Sequence, residues 1–120
     1  QHHVDQILCR RDLRFPEQYR YYARKGAEIL CVPSAFTKTT GQAHWEILLR
    51  ARAVENFCYV LAANQIGKDG KGITSYGNSM IIDPWGKILA RASSKREEII
   101  YAEMDQKRLQ VARKKLPAIR

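Results

Sequence analysis

Three short apolar runs constrain this chain most: Ile7-Leu8-Cys9, Ile29-Leu30-Cys31-Val32 and Phe57-Cys58-Tyr59-Val60. Each is strand-length, and stretches of helical character separate them. The spacing predicts strands over 4–9, 28–32 and 57–63. A helix over 16–25 is signalled by Pro16 in its first turn, Glu17 near its positive end and Gly26 as its stop. A second helix over 42–56 places Trp45, Leu48, Leu49 and Arg52 near helical spacing. Pro33 is expected to end the strand before it.

The second half of the chain continues in short elements. Residues 66–77 hold four of the seven glycines and read as a surface loop. A strand over 78–82, the turn Asp83-Pro84-Trp85-Gly86 and a strand over 87–92 form a hairpin. A last strand is expected over 98–103 and a closing helix over 106–115. Alternation of this kind is an α/β fold with layered packing. At 120 residues, one domain or part of one is the limit.

Charge and cysteine usage exclude several functions. The formal net charge is +9, and residues 87–120 carry ten Lys/Arg against four acids. No zinc-finger spacing, RNP-type motif or long basic run accompanies them, so a solvated basic surface is preferred to a nucleic-acid site. No apolar run approaches the roughly 20 residues of a membrane helix, and no signal segment opens the chain. A cytoplasmic protein without nucleic-acid or membrane partners is expected. Three cysteines without a CxxC argue against a disulfide framework or structural zinc. Cys31 and Cys58 read as small core residues within strands. Cys9 ends its run before a charged segment, which is one way to present a nucleophile. His2, His3 and Asp5 lack a spaced further ligand and read as an exposed terminus rather than a metal site.

Longer strings carry more. Asp12-Leu13-Arg14-Phe15-Pro16-Glu17 is followed by Gly26-Ala27-Glu28-Ile29-Leu30, then Pro33-Ser34-Ala35-Phe36 and Thr40-Gly41. His44-Trp45-Glu46, Leu49-Arg50-Ala51-Arg52-Ala53-Val54-Glu55-Asn56 and Tyr76-Gly77-Asn78-Ser79-Met80-Ile81-Ile82-Asp83-Pro84-Trp85-Gly86 complete the series. Together they resemble the carbon–nitrogen hydrolase (nitrilase) superfamily, and most of all its small-amidase branch of deaminated glutathione amidases and omega-amidases. The resemblance covers 12–120, whereas 1–11 match poorly.

The resemblance implies an αββα sandwich, of which this chain is the C-terminal half, a single partial domain over 1–120. It also implies hydrolysis of C–N bonds in small carboxylate-bearing amides by a Glu-Lys-Cys mechanism. A Cys thiolate attacks the amide carbon, Glu moves protons, and Lys with a backbone N–H stabilises the oxyanion. A thioester forms, ammonia leaves and water releases the acid, without a metal or other cofactor.

Two departures follow. The family nucleophile stands two residues before the Asp of the Asp-x-Arg-Phe-Pro-Glu string, where this chain has Arg10, with Arg11 in place of the usual Tyr. Cys9 is one residue out of that register, a step of about 3.3 Å that reverses side-chain direction along a strand unless a bulge restores it. The family Glu and Lys lie upstream of the Cys, and the eight residues before Cys9 contain neither. Cys9 is therefore the candidate nucleophile of a chain expected to be inactive in isolation, or to be a non-catalytic relic or oligomerisation module.

Arg14, Phe36 and Thr40 stand where the resembling amidases surround substrate. Arg14 is a candidate carboxylate clamp or the partner of Glu17 or Asp12 in a salt bridge. Phe36 is a pocket wall or a core residue. Thr40 is a hydroxyl donor or the cap of the helix after Gly41. Glu46 and Arg50 are four apart and are expected to pair. Asn78 stands where the family often has His. Because Gln1 rather than Met opens the chain, a preceding segment is expected. Half a sandwich leaves apolar sheet surface open, so self-association into a homo-oligomer is also expected.

Overall fold

A computed structural model describes residues 7–9, 13–117 and 119. The backbone of β1 (Ile7–Cys9) is followed by α1 (Pro16–Arg24), β2 (Ile29–Ser34) and a long helical stretch. That stretch comprises α2 (Lys38–Thr40), a π-helical segment Gly41–Trp45 and α3 (Glu46–Asn56). Then come β3 (Tyr59–Asn64), β4 (Met80–Ile82), β5 (Ile88–Arg91) and α4 (Gln106–Lys115). The five strands form one sheet in chain order. β1, β2 and β3 are mutually parallel, each crossover carrying helix, while β4 and β5 return antiparallel as a hairpin.

The alternation of strand residues divides the sheet into two unlike faces. Leu30, Val32, Val60, Ala62, Met80 and Ile82 point to one side and are buried. Tyr19 and Ala23 of α1, Trp45, and Leu49 and Ala53 of α3 join them in one core. The opposite face presents Cys31, Pro33, Leu61, Ala63 and Ile81 around an open apolar hollow that Ile100 also lines. α1 and α3 cover the first face, while Leu109 of α4 forms a separate small cluster with Phe57, Tyr59, Ile29 and Leu89 at one end of the other. A sheet with its main helical layer on one side is half of an αββα sandwich, as the resemblance implies. Among the described residues no helix is long and apolar enough to cross a membrane.

Several local expectations are revised. Pro33 does not end β2, which continues to Ser34 in register with Ala63 and Asn64. The Ser34 carbonyl accepts from Gln65 N on the β3 side, so Pro33 faces the other way. Among the described residues β1 pairs as far as Cys31, so the missing Pro33 N–H breaks no ladder bond there. Phe57 is not strand: at φ +45° it is the left-handed residue that terminates α3. Cys58 is buried but lies before β3, and Cys31 is half-buried on the open face rather than in the core. Residues 98–103 form no strand. Ile99 and Tyr101 are more than three-quarters exposed there, and Glu98 turns back to accept from Ser93 N. The helix expected at 42 begins at Lys38, while the closing helix forms where predicted, capped by Asp105 accepting from Arg108 N.

Candidate active site

Cys9, Ser34 and Asn64 are the last residues of the three parallel strands. The carboxyl ends of such strands are where open α/β sheets bind ligands. Cys9 is in register with Cys31 on β2. Its side chain, residues 10–12, and His2, His3 and Asp5 lie outside the described residues.

Asn64 builds the platform at this end. It is buried, and its Oδ1 accepts from Phe36 N at 2.8 Å while its Nδ2 donates to Gly77 O at 2.9 Å. One amide thus ties the segment after β2 to the glycine-rich loop. Tyr76 N donates to Phe36 O, and Lys38 N to Thr74 O, extending that seam. Gly41 closes it: the Tyr76 ring sits so close that any Cβ at position 41 would overlap it.

Gly41 also opens the π-helical segment, whose wider turn sets the residues after it. π-segments recur at functional sites because they re-aim side chains within a helix. Here Trp45 is fully buried, donating from Nε1 to Asn78 O at 2.8 Å and packing on Phe36 at a ring separation of 5.0 Å. The preceding residue, His44, remains exposed and hydrogen-bonds Arg14 at 3.0 Å between Nδ1 and Nη2. The Arg14 guanidinium carbon lies 5.5 Å from the centre of the Phe36 ring, within range of a cation–π contact.

Arg14 and Phe36 are therefore brought together, with Phe36 serving both as wall and as packing partner of Trp45. Among the described residues Arg14 forms no ion pair, Glu17 included. Thr40 is the last residue of α2 rather than a cap, and its hydroxyl bonds that of Thr37 at 2.9 Å. No hydrogen bond among the described residues joins it to Arg14 or Phe36.

Nearby charges belong to the scaffold. Glu46 pairs with Arg50 at 3.3 Å as expected, and also with Arg91 at 2.8 Å. Arg52 is buried and donates to Leu13 O, fixing the start of the Arg14 loop to α3. Asn78 adopts φ +56°, a conformation Asn tolerates. Its amide donates to Tyr76 O and accepts from Arg91, so it shapes a corner.

Cys58 is unsuited to nucleophilic work. Burial pushes its thiol up to about 11, and Arg113 beside it offsets only part of that effect. Among the described residues no group of His, Cys, Asp and Glu is arranged to hold a metal. Residue-by-residue reading gave no role to Asn64, His44 or Gly41. An Asn ending an apolar strand was a signal for the first; the other two depend on neighbours far along the chain.

Comparison with known proteins agrees with this architecture. The carbon–nitrogen hydrolase family model matches residues 7–114. Deaminated glutathione amidase of Synechocystis sp. is 49% identical over 108 residues, covering 90% of this chain and 39% of that protein. Its counterpart in Bos taurus is 51% identical over 106 residues, covering 88% and 32%. The crystal structure of the C. elegans NitFhit protein superposes with a TM-score of 0.86 at 44% identity, covering 92% of this chain and 27% of that one. The chain thus spans about two-fifths or less of the length of these relatives.

Proposed function

This chain belongs to the carbon–nitrogen hydrolase family, and from that premise we propose that it carries the carboxylate-binding side of a small-molecule amidase site. Its substrate is a small amide bearing a carboxylate, as the relatives' name, deaminated glutathione amidase, suggests. The observation that carries this is Arg14. Its guanidinium rests on an imidazole and a phenyl ring, both uncharged, at the carboxyl end of the parallel strands. A cation that pairs with no anion among the described residues, in such a place, suits a planar carboxylate taken in bidentate fashion.

Cys9 is the nucleophile in this scheme. Its thiolate adds to the amide carbon, ammonia leaves as the C–N bond breaks, and a thioester remains. Water then cleaves the thioester, returning the thiol and releasing the acid. Proton transfer and oxyanion stabilisation require the Glu and Lys that the family resemblance implies, and residues 1–8 supply neither. The 120-residue polypeptide alone is therefore expected to bind substrate without turning it over, since loss of such groups costs orders of magnitude in rate.

Incubation with glutaramate (an amide with one carboxylate), followed by intact-mass spectrometry and an ammonia assay, tests both parts. Saturable binding that Arg14→Ala abolishes, with no adduct and no ammonia, is expected. A thioester on Cys9 overturns the inactivity, and unchanged binding by Arg14→Ala overturns the carboxylate site.

A second reading, a non-catalytic oligomerisation module, is favoured by one observation: the open apolar face of Cys31, Pro33, Leu61, Ala63 and Ile81. Such a surface on a lone chain drives association. Concentration-dependent sedimentation without Arg14-dependent binding of glutaramate would select it.

A further inference from the structure

We infer that His44 is a positioning residue: it holds the Arg14 guanidinium against Phe36 while leaving its charge uncompensated, and so favours carboxylate-bearing amides over neutral ones. The inference rests on the reading of Arg14 as the carboxylate site and adds how that site is tuned.

The hydrogen bond has a fixed direction. A guanidinium only donates, so His44 Nδ1 must accept from Arg14 Nη2, and the imidazole is neutral with its proton on Nε2. An acidic side chain at position 44 would hold Arg14 equally well, but as an ion pair that competes with any incoming carboxylate. A neutral acceptor holds the fork and leaves the cation free. Phe36 adds an uncharged second support at 5.5 Å.

The backbone explains why position 44 meets position 14. The π-segment Gly41–Trp45 starts against the Tyr76 ring and ends with Trp45 locked to Asn78 O. His44 is therefore carried on a turn braced at both ends. Arg14 lies on a loop whose preceding residue, Leu13, is 1% exposed and gives its carbonyl to buried Arg52. Two exposed side chains are thus set by buried neighbours adjacent in sequence.

Four variants of the 120-residue chain test this: His44→Ala, His44→Asn, His44→Glu and Arg14→Ala. Side-chain 15N signals of Arg14 report its order, and NMR titration with glutaramate and with neutral butyramide reports binding. His44→Ala should release the Arg14 signal into the mobile range and weaken glutaramate roughly threefold to tenfold. His44→Asn, whose Oδ1 falls near the place of Nδ1, should restore both. His44→Glu should keep Arg14 ordered yet weaken glutaramate about tenfold, with no loss for butyramide. A purely structural role predicts no penalty for the Glu variant. An Arg14 signal unchanged in His44→Ala, or full glutaramate affinity in His44→Glu, overturns the inference while leaving the carboxylate site intact. Unchanged glutaramate binding by Arg14→Ala sinks the site itself, whatever His44 does.

Discussion

Gly41→Ala isolates the contact that seats the π-segment. Elsewhere in a helix this change is favourable by about 1 kcal/mol, because alanine loses less backbone freedom. At position 41 the added Cβ meets Cβ, Cγ and Cδ2 of Tyr76, the base of the ring rather than its movable end. Tyr76 cannot retreat freely, since its N–H is bonded to Phe36 O at 2.8 Å and its carbonyl accepts from Asn78 Nδ2 at 2.9 Å. Overpacking of this kind costs about 1–3 kcal/mol, enough to outweigh the helical gain. A net loss of up to about 2 kcal/mol follows, or a fall of up to about 1 M in the urea midpoint at an ordinary slope. Gly70→Ala is the control, because a Cβ there meets nothing within 4 Å; it should stay within about 0.5 kcal/mol of the parent. Urea unfolding followed by tryptophan fluorescence measures both. A Gly41→Ala protein as stable as Gly70→Ala, or more so, refutes the claim that the Tyr76 contact governs this segment.

Three further outcomes are expected. Cys58 titrates near 11 when folded, against an ordinary value of 9.0. Between those values the unfolded chain has lost a proton that the folded chain keeps, so stability falls as pH rises from 9 toward 11. Cys58→Ala should remove about 2 kcal/mol of that decline, measured as the difference between urea unfolding at pH 8.5 and pH 11. Arg113 of α4 donates to Ala27 O at 2.7 Å and to Phe57 O at 2.9 Å and 3.0 Å. Arg113→Ala should cost about 2 kcal/mol in chemical denaturation, and Arg113→Lys should not restore it, lacking the fork. Leu61, 39% exposed on the open sheet face, is the place to test association: Leu61→Lys should shift sedimentation toward monomer, and an unchanged distribution would move the contact elsewhere.

Much of the layout was legible from local chemistry. Pro16 and Glu17 open α1 and Gly26 follows its end at φ +101°, because the first and last turns of a helix are decided by the residues in them. The turn Asp83-Pro84-Trp85-Gly86 closes its hairpin through Asp83 Oδ1, which accepts from Trp85 N and Lys87 N. The errors lie where long-range neighbours decide. Residues 98–103 have strand composition but make no backbone pairing with the sheet, and Glu98 instead turns back to accept from Ser93 N. Phe57 continues an apolar run, yet the packing of α3 against β3 requires a sharp reversal there. Pro33 is accommodated inside β2 because its nitrogen faces away from β3, on a side where no described residue of β1 pairs with it.

At the site the division has the same physical origin. Sequence alone determined the α/β alternation, the cysteine at the end of β1, the motif series and the nomination of Arg14 and Phe36. These depend on residue type, short spacing and order along the chain. Only the tertiary structure decided that Arg14 is held by His44, thirty residues away, rather than by Glu17, and that Asn64 clamps Phe36 to Gly77. A side chain's partner depends on which elements pack together, and packing is settled by the whole buried surface rather than by the residues beside it.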